Sequence, residues 1–391
     1  MKRIYFDHAA STPLRPEVKK AMEPYYTKRF GNPSSLHFFG QEGIAAIDHA
    51  RDIVAKAVGA AFREVIFTGS ATEANNLALR GVVRGARGII AKPRIIISAI
   101  EHESILETAR DLERDGAELI VIPVDSRGVV DVRRLEESLN ERTVVVSVMY
   151  VNNEIGTVQP IQKIAHIISK FKKGAQYPLF HTDAVQAFNY FECDVNTLGV
   201  DMMTLSGHKI GGPKGVGALY IKHVESANKK LIVPVLTGGG QEFGLRSGTE
   251  NVPGIVGFAE AIVRAAKERK KEHTRLLSLK KYFWKEIKKV LPNASIYGMD
   301  EKHFSDASPH IVNISLQNMP LDDLVVRLDV MGISVSSGSA CASRAATHSH
   351  VLSALFENAA RGVRFSFGRG TTRTEISEAV KRIRHVFKVK K

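Results

Sequence analysis

The chain has only two cysteines, Cys193 and Cys341, among 391 residues, and a single tryptophan. Two thiols cannot build a disulfide framework, and neither stands in a CxxC pair of the kind that marks a zinc or redox site. No metal site is expected, and a reducing compartment is the natural home. Long hydrophobic runs are absent as well. Met1-Lys-Arg3 has the charge of a signal-peptide start, yet Asp7 and His8 interrupt the apolar stretch that would have to follow. No stretch approaches the roughly 20 apolar residues of a membrane-spanning helix. The expectation is a soluble, cytoplasmic protein with no membrane partner. Internal repeats, low-complexity segments and long flexible linkers are also missing, so whatever units the chain forms are expected to pack closely.

What is present is a hydrophobic content of 44%, ample for a large core and for more than one domain. The formal charge is +14, from 55 Lys and Arg against 41 Asp and Glu. It concentrates in 264–289 and 381–391, both on expected helices. Such clusters read either as solvated helix faces or as docking surfaces for acidic proteins or RNA. No zinc finger, aromatic-interleaved basic motif or RNA-binding signature accompanies them, and no DNA partner is expected.

From about Glu64 to Lys222, short apolar runs alternate with helical stretches. Val65–Phe67, Arg94–Ser98, Leu119–Ile122, Val144–Val148 and Asp201–Leu205 read as strands, with helices over 71–86, 103–115 and 160–173. Runs apolar throughout suit a mainly parallel sheet covered on both faces, the α/β class. Ligands of such open sheets collect at the strand ends. A long helix near 252–290 leads to strands near 310–316 and 333–336 and a closing helix near 375–388. The expected division is a large α/β domain over 15–258 and a smaller α+β domain built from 1–14 and 259–391.

Lys209 lies in Leu205-Ser-Gly-His-Lys-Ile-Gly-Gly-Pro-Lys-Gly-Val-Gly217, where a strand delivers an amine into a glycine-rich turn. That is how a Schiff-base lysine is presented, and the ligand it suggests is pyridoxal phosphate; an ordinary surface lysine is the competing reading. Ser206 and His208 offer hydrogen bonds beside it, and the glycines would let backbone approach a bulky ligand. Thr68-Gly-Ser-Ala-Thr-Glu73 follows a strand and opens a helix, so backbone N–H groups near Ala71 and the Thr72 hydroxyl form a phosphate cup, or else Ser70 or Thr72 is a plain N-cap. Asp183, at the end of the run before Ala184-Val-Gln186, is suited to pair with a pyridinium nitrogen, with Gln186 able to reach the ring hydroxyl; a helix N-cap is the alternative.

His102 lies just past another strand, where an imidazole can stack on a ring and move protons. Asn153, in Val151-Asn-Asn-Glu-Ile-Gly156, is suited to donate to a carboxylate or simply to make a turn. Arg364 alternates with Val363 and Phe365, and its guanidinium is suited to clamp an α-carboxylate or to sit in a salt bridge. Cys341 follows Ser337-Gly-Ser-Ala340 in a small-residue loop, a setting that lets a reactive thiolate travel. Cys193, in Phe191-Glu-Cys-Asp194, reads as structural.

Taken in order, these segments resemble the cysteine desulfurases of the NifS/IscS type, in the class V aminotransferase group of fold type I pyridoxal phosphate enzymes. The resemblance runs nearly end to end. It includes Tyr5-Phe-Asp-His-Ala-Ala10, Gly31-Asn-Pro-Ser-Ser35, Ala71-Thr-Glu-Ala-Asn-Asn76, Glu101-His102, Asn152–Gly156, His181–Gln186, Ser206–Lys209, Gly238–Gln241, Arg246–Asn251, Ser337–Cys341 and Arg364–Gly368. It implies that Lys209 holds the cofactor, Asp183 pairs with its pyridine nitrogen, Gln186 meets the ring hydroxyl and His102 stacks on the ring. Thr72, Ser206 and His208 would bind phosphate, completed by Thr249 from the other subunit of a homodimer. Asn153 and Arg364 would hold the carboxylate of L-cysteine. Cys341 matches the nucleophile that takes the sulfur as a persulfide, for an iron–sulfur scaffold or a tRNA-thiolation protein. Departures from the commonest pattern are His8, Ser70, Phe243 and Ala342, none of which removes a proposed catalytic group.

The nearest alternatives are a selenocysteine lyase or another class V aminotransferase, and the Cys341 context counts against the latter. A cofactor-free hydrolase pairing Cys341 with His348 or His350 would leave the Lys209 and Asp183 segments without a role.

Overall fold

The apolar, β-branched runs do become strands. In the computed structural model, which describes residues 2–222, 231–315, 321–337, 349–356 and 362–388, the strands in chain order are β1 (Ile4–Tyr5), β2 (Val65–Thr68), β3 (Arg94–Ser98), β4 (Glu118–Ile122), β5 (Thr143–Ser147) and β6 (Leu179–Asp183). After them come β7 (Met202–Ser206), β8 (Gly217–Ile221), β9 (Ser295–Ile296), β10 (Ile311–Ser315), β11 (Ile333–Ser334) and β12 (Gly362–Ser366).

Seven of them form one sheet in the order β2-β8-β7-β6-β5-β3-β4. Its neighbours are parallel except β8, which runs antiparallel to both β2 and β7. Both faces are covered, as the unbroken apolar runs require. Along β7, Met203 and Leu205 join one apolar cluster, with Phe180 and Val146, while Met202 joins the other, with Leu179 and Val145. This is the α/β architecture of fold type I.

A three-stranded sheet, β12-β10-β9, is antiparallel, and β1 pairs in parallel with β11. Its core gathers Phe6, Phe283, Phe365 and Phe367. The helix Val252–Val290 joins the two regions without a break. Its first half places Ile255, Phe258 and Ile262 in the large-sheet core, and its second half places Leu276, Phe283 and Ile287 in the other. Among the described residues no helix is long and apolar enough to cross a membrane.

Candidate active site

Because β2, β3, β5, β6 and β7 run the same way, the loops that follow them meet at one edge of the sheet. A cavity of about 310 Å³ opens there, and Arg364 of β12 closes it from the second sheet. Every site residue named from the sequence lines this cavity except Thr249, which is exposed elsewhere, and Cys341, which lies outside the described residues.

Lys209 ends a short turn, Gly207–Lys209, directly after β7. Its Nζ donates to the carbonyls of Ala9 and Ala10 at 2.6 and 2.8 Å, and its own carbonyl accepts from Asn189 Nδ2 at 2.8 Å. It is therefore no loose surface lysine. The surrounding glycines act differently from the expectation. A Cβ on Gly207 would come within 2.7 Å of the Pro213 carbonyl, and one on Gly217 within 2.9 Å of the Ser70 backbone, so these glycines let backbone pack on backbone. Of the glycines in this turn, Gly215 does line the cavity with open space beside its α-carbon, at φ +75°. His208 borders the cavity with Nδ1 3.4 Å from Ser11 Oγ. Burial, aided by Lys209 and Lys214, lowers its pKa to about 4, leaving a neutral imidazole at neutral pH.

Ser70 and Thr72 divide the work that the sequence left open between them. Ser70 Oγ accepts from Glu73 N at 3.1 Å and is the N-cap of the helix Ala71–Ala86. Glu73 reaches back to Gly69 N at 2.9 Å and is held by Arg246 at 2.8 Å. The Thr72 hydroxyl is thus not needed as the cap, and the N–H groups of Ala71 and Thr72 are ones the helix cannot satisfy itself. A helix N-terminus with a hydroxyl and a neutral imidazole nearby favours an anion.

Asp183 is the last residue of β6, not a helix cap, and it is 5% exposed. Its Oδ2 accepts from Asn75 Nδ2 at 2.9 Å and its Oδ1 from Val185 N at 3.0 Å. The same Asn75 nitrogen lies 2.8 Å from Ser104 Oγ, which is 2.8 Å from His102 Nδ1. His102 is also the N-cap of the helix Glu103–Arg114. Its pKa is lowered by burial, with Lys209 adding to the effect and Asp183 opposing it. Gln186 donates from Nε2 to Ala9 O at 2.9 Å.

Arg364 is 1% exposed and is both salt-bridged and directed to the cavity. Its Nη2 donates to Asp7 Oδ1 at 2.9 Å and its Nη1 to the Asn153 carbonyl at 2.8 Å, while Nε has no partner among the described residues. The described residues flanking the Cys341 segment are fastened close by. Ser336 Oγ donates to Asp7 at 2.9 Å, Ser349 Oγ to Glu154 Oε2 at 2.6 Å, and His350 Nε2 lies 2.9 Å from the Glu101 carbonyl. Cys193 is fully buried and its thiol is pushed up to about 12 by burial, as a structural cysteine should be.

Asp7, Asn75, Ser104 and His310 hold the cavity-lining Arg364, Asp183, His102 and Gln186, and sequence reasoning gave them no role. Asp7 and Asn75 do fall inside motifs that carry the resemblance. The carbonyls of Ala9 and Ala10 carry no side-chain signal at all.

The family model described as Aminotransferase class-V matches residues 4–378. A relative from Dictyoglomus turgidum, "Cysteine desulfurase IscS", is 42% identical over 382 residues, covering 96% of this chain and 93% of the relative. The chain belongs to the cysteine desulfurases of this family. Among solved structures, a "NIFS-LIKE PROTEIN" superposes with a TM-score of 0.89 at 34% identity, covering 99% of this chain and 100% of that one. "SspA in complex with cysteine" superposes at 0.77 with 34% identity, covering 93% and 98%.

Cysteine desulfurases of class V depend on pyridoxal phosphate, and the donor set of this cavity fits that group. An amine for its aldehyde, a buried carboxylate for its ring nitrogen and an anion-binding helix N-terminus for its phosphate all open into one space.

Proposed function

We propose that this desulfurase takes L-cysteine to L-alanine and keeps the sulfur as a persulfide on Cys341 until a protein acceptor removes it. The observation that carries this reading is the gathering of Lys209, Asp183, Thr72, Asn153 and Arg364 around one cavity, while Asp7, which holds Arg364, and Glu154, next to Asn153, anchor the two described flanks of the Cys341 segment. Pyridoxal phosphate, when bound, supplies an electron sink next to the substrate α-carbon.

The chain's own residues do the rest. Lys209 would hold the cofactor through Nζ, and its amine is placed to move the substrate α-proton. Asp183 keeps a proton on the ring nitrogen, with its oxygens steadied by Asn75 and Val185 N. Gln186 would donate to the ring oxygen and His102 would pack against the ring. Ala71, Thr72, Ser206 and His208 bind the phosphate. Asn153 and Arg364 orient the substrate carboxylate, with Arg364 itself aimed by Asp7. Cys341 attacks the substrate sulfur as a thiolate. An S–S bond forms, the C–S bond breaks with its electron pair left on carbon, and that carbon takes a proton to give L-alanine. No outside oxidant is required.

A homodimer is supported by two features. Thr249 is exposed and does not line its own chain's cavity, as suits a residue lent to a partner's phosphate site. Tyr26, Phe30, Leu36, Phe38 and Phe39 also form an exposed apolar stretch, with Leu36 at 93% exposure. The acceptor is an iron–sulfur scaffold or a tRNA-thiolation protein, and the site of action is the cytoplasm. The direct test is Cys341→Ser. It should keep the visible absorption of bound cofactor while losing protein persulfide and sulfide release together. Full sulfide release by this variant would overturn the assignment.

A further inference from the structure

Behind Gln186 runs a buried chain of polar groups that the reaction leaves without a task. Gln186 Nε2 donates to the Ala9 carbonyl at 2.9 Å, and His310 Nε2 lies 3.2 Å from Gln186 Oε1. A carbonyl can only accept, so Ala9 decides which end of the amide is nitrogen, and His310 must then offer N–H at Nε2. Nδ1 is left bare and accepts from Ser308 Oγ at 2.5 Å. The Ser308 carbonyl in turn accepts from Lys280 Nζ at 2.9 Å. His310 is 2% exposed, with the Tyr190 ring packed 4.4 Å from it. Burial, aided by Lys280, His8, Arg364 and Lys209, holds its pKa well below the ordinary histidine value. The ring is therefore neutral, as a donor on one side and an acceptor on the other require.

We infer that His310 is a positioning residue, which grips the Gln186 carbonyl oxygen and so keeps the amide N–H edge turned to the cavity as a donor to an anionic ligand oxygen. This rests on the reading that Gln186 meets the cofactor's ring oxygen. Without the imidazole N–H only the Ala9 carbonyl opposes a flip of the amide, and in the flipped form Oε1 faces the oxyanion. Ser308 contributes one step further out by fixing the tautomer.

The test is a pH titration of the visible band of the holoenzyme without substrate, which reads the proton shared between the Lys209–cofactor imine nitrogen and the ring oxygen. A donor to the deprotonated oxygen lowers the midpoint, so its loss raises it. His310→Leu should raise the midpoint by about 1 pH unit. His310→Gln, whose amide N–H reaches the same oxygen, should restore most of it, and Ser308→Ala should shift it the same way by less. Gln186→Leu separates this inference from the reading it rests on. If Gln186→Leu raises the midpoint and His310→Leu does not, the positioning role is overturned and the Gln186 contact stands. If Gln186→Leu leaves the midpoint unchanged, both fall. Should His310→Leu not fold, Ser308→Ala decides, and an unmoved midpoint there overturns the proposal.

Discussion

Two buried charges of opposite sign face the same cavity from different sheets, Asp183 at the end of β6 and Arg364 on β12, and they are held in different ways. The hydrogen-bond donors to Asp183 among the described residues are neutral, an amide side chain and a backbone N–H. Arg364 is held by a carboxylate, Asp7, and by a carbonyl. Neutral support fixes the position of Asp183 without cancelling its charge, which leaves that charge to be met by a protonated ring nitrogen. Arg364 arrives already compensated, so its remaining value to a ligand lies in directed N–H groups and planar geometry.

The strongest way to break this contrast is Asp183→Ala. It removes a charge for which the arrangement provides no substitute, and turnover should fall by about 10³-fold, with weaker cofactor retention, measured by sulfide release and by titration of the apoprotein with pyridoxal phosphate. Loss of less than tenfold would mean that the charge is not used. Arg364→Lys should do less and do it elsewhere. The positive charge beside Asp7 survives, but the planar donor fork does not, so KM for L-cysteine should rise about 10- to 100-fold with the visible band of the cofactor intact. A matching loss of the band would instead show that Arg364 organises the cofactor side of the cavity.

Both charges were legible as candidates because each ends or interrupts a strand run, with a helix cap for Asp183 and a salt bridge for Arg364 left open by the chain alone. The same logic made Lys209 legible, as a cation in a glycine-rich turn, and the strand runs from Val65 to Leu205 gave away a sheet whose loops converge. What supports the charges was not legible, because those contacts join segments far apart in the chain. Asp7 meets Arg364 across 357 positions, Asn75 meets Asp183 across 108, and Gln186 meets His310 across 124. None of these pairs has a local pattern. The choice between Ser70 and Thr72 as cap was open for a related reason, since only the direction of the chain entering the helix decides it. The reversed strand β8 was also hidden, because an apolar run does not say which way it points.

Another buried acid sharpens the contrast with the smallest expected effect on turnover. Glu101 lies next to His102 and is fully buried, with Oε1 accepting from Ser98 Oγ at 2.5 Å and Met149 N at 2.8 Å and Oε2 without a partner among the described residues. Unlike Asp183, with a neutral donor on each oxygen, it leaves one oxygen bare, and burial raises its pKa from 4.5 to about 8. It is therefore a neutral acid at pH 7. In the unfolded chain the same group ionises near its ordinary value, so between about 4.5 and about 8 the unfolded state gives up a proton that the folded state keeps. The stability this group contributes is full below the lower value and is lost as pH rises through the upper one. Glu101→Gln keeps an oxygen for Ser98 and Met149 but cannot ionise. Its melting temperature should fall less steeply than that of the wild type between pH 5 and pH 8, a difference of several degrees by the upper end, with little change in turnover near neutrality. Parallel melting curves for the two proteins across that range would mean that Glu101 is ionised in the folded state and that Asp183 is not the only carboxylate whose charge this edge of the sheet sustains.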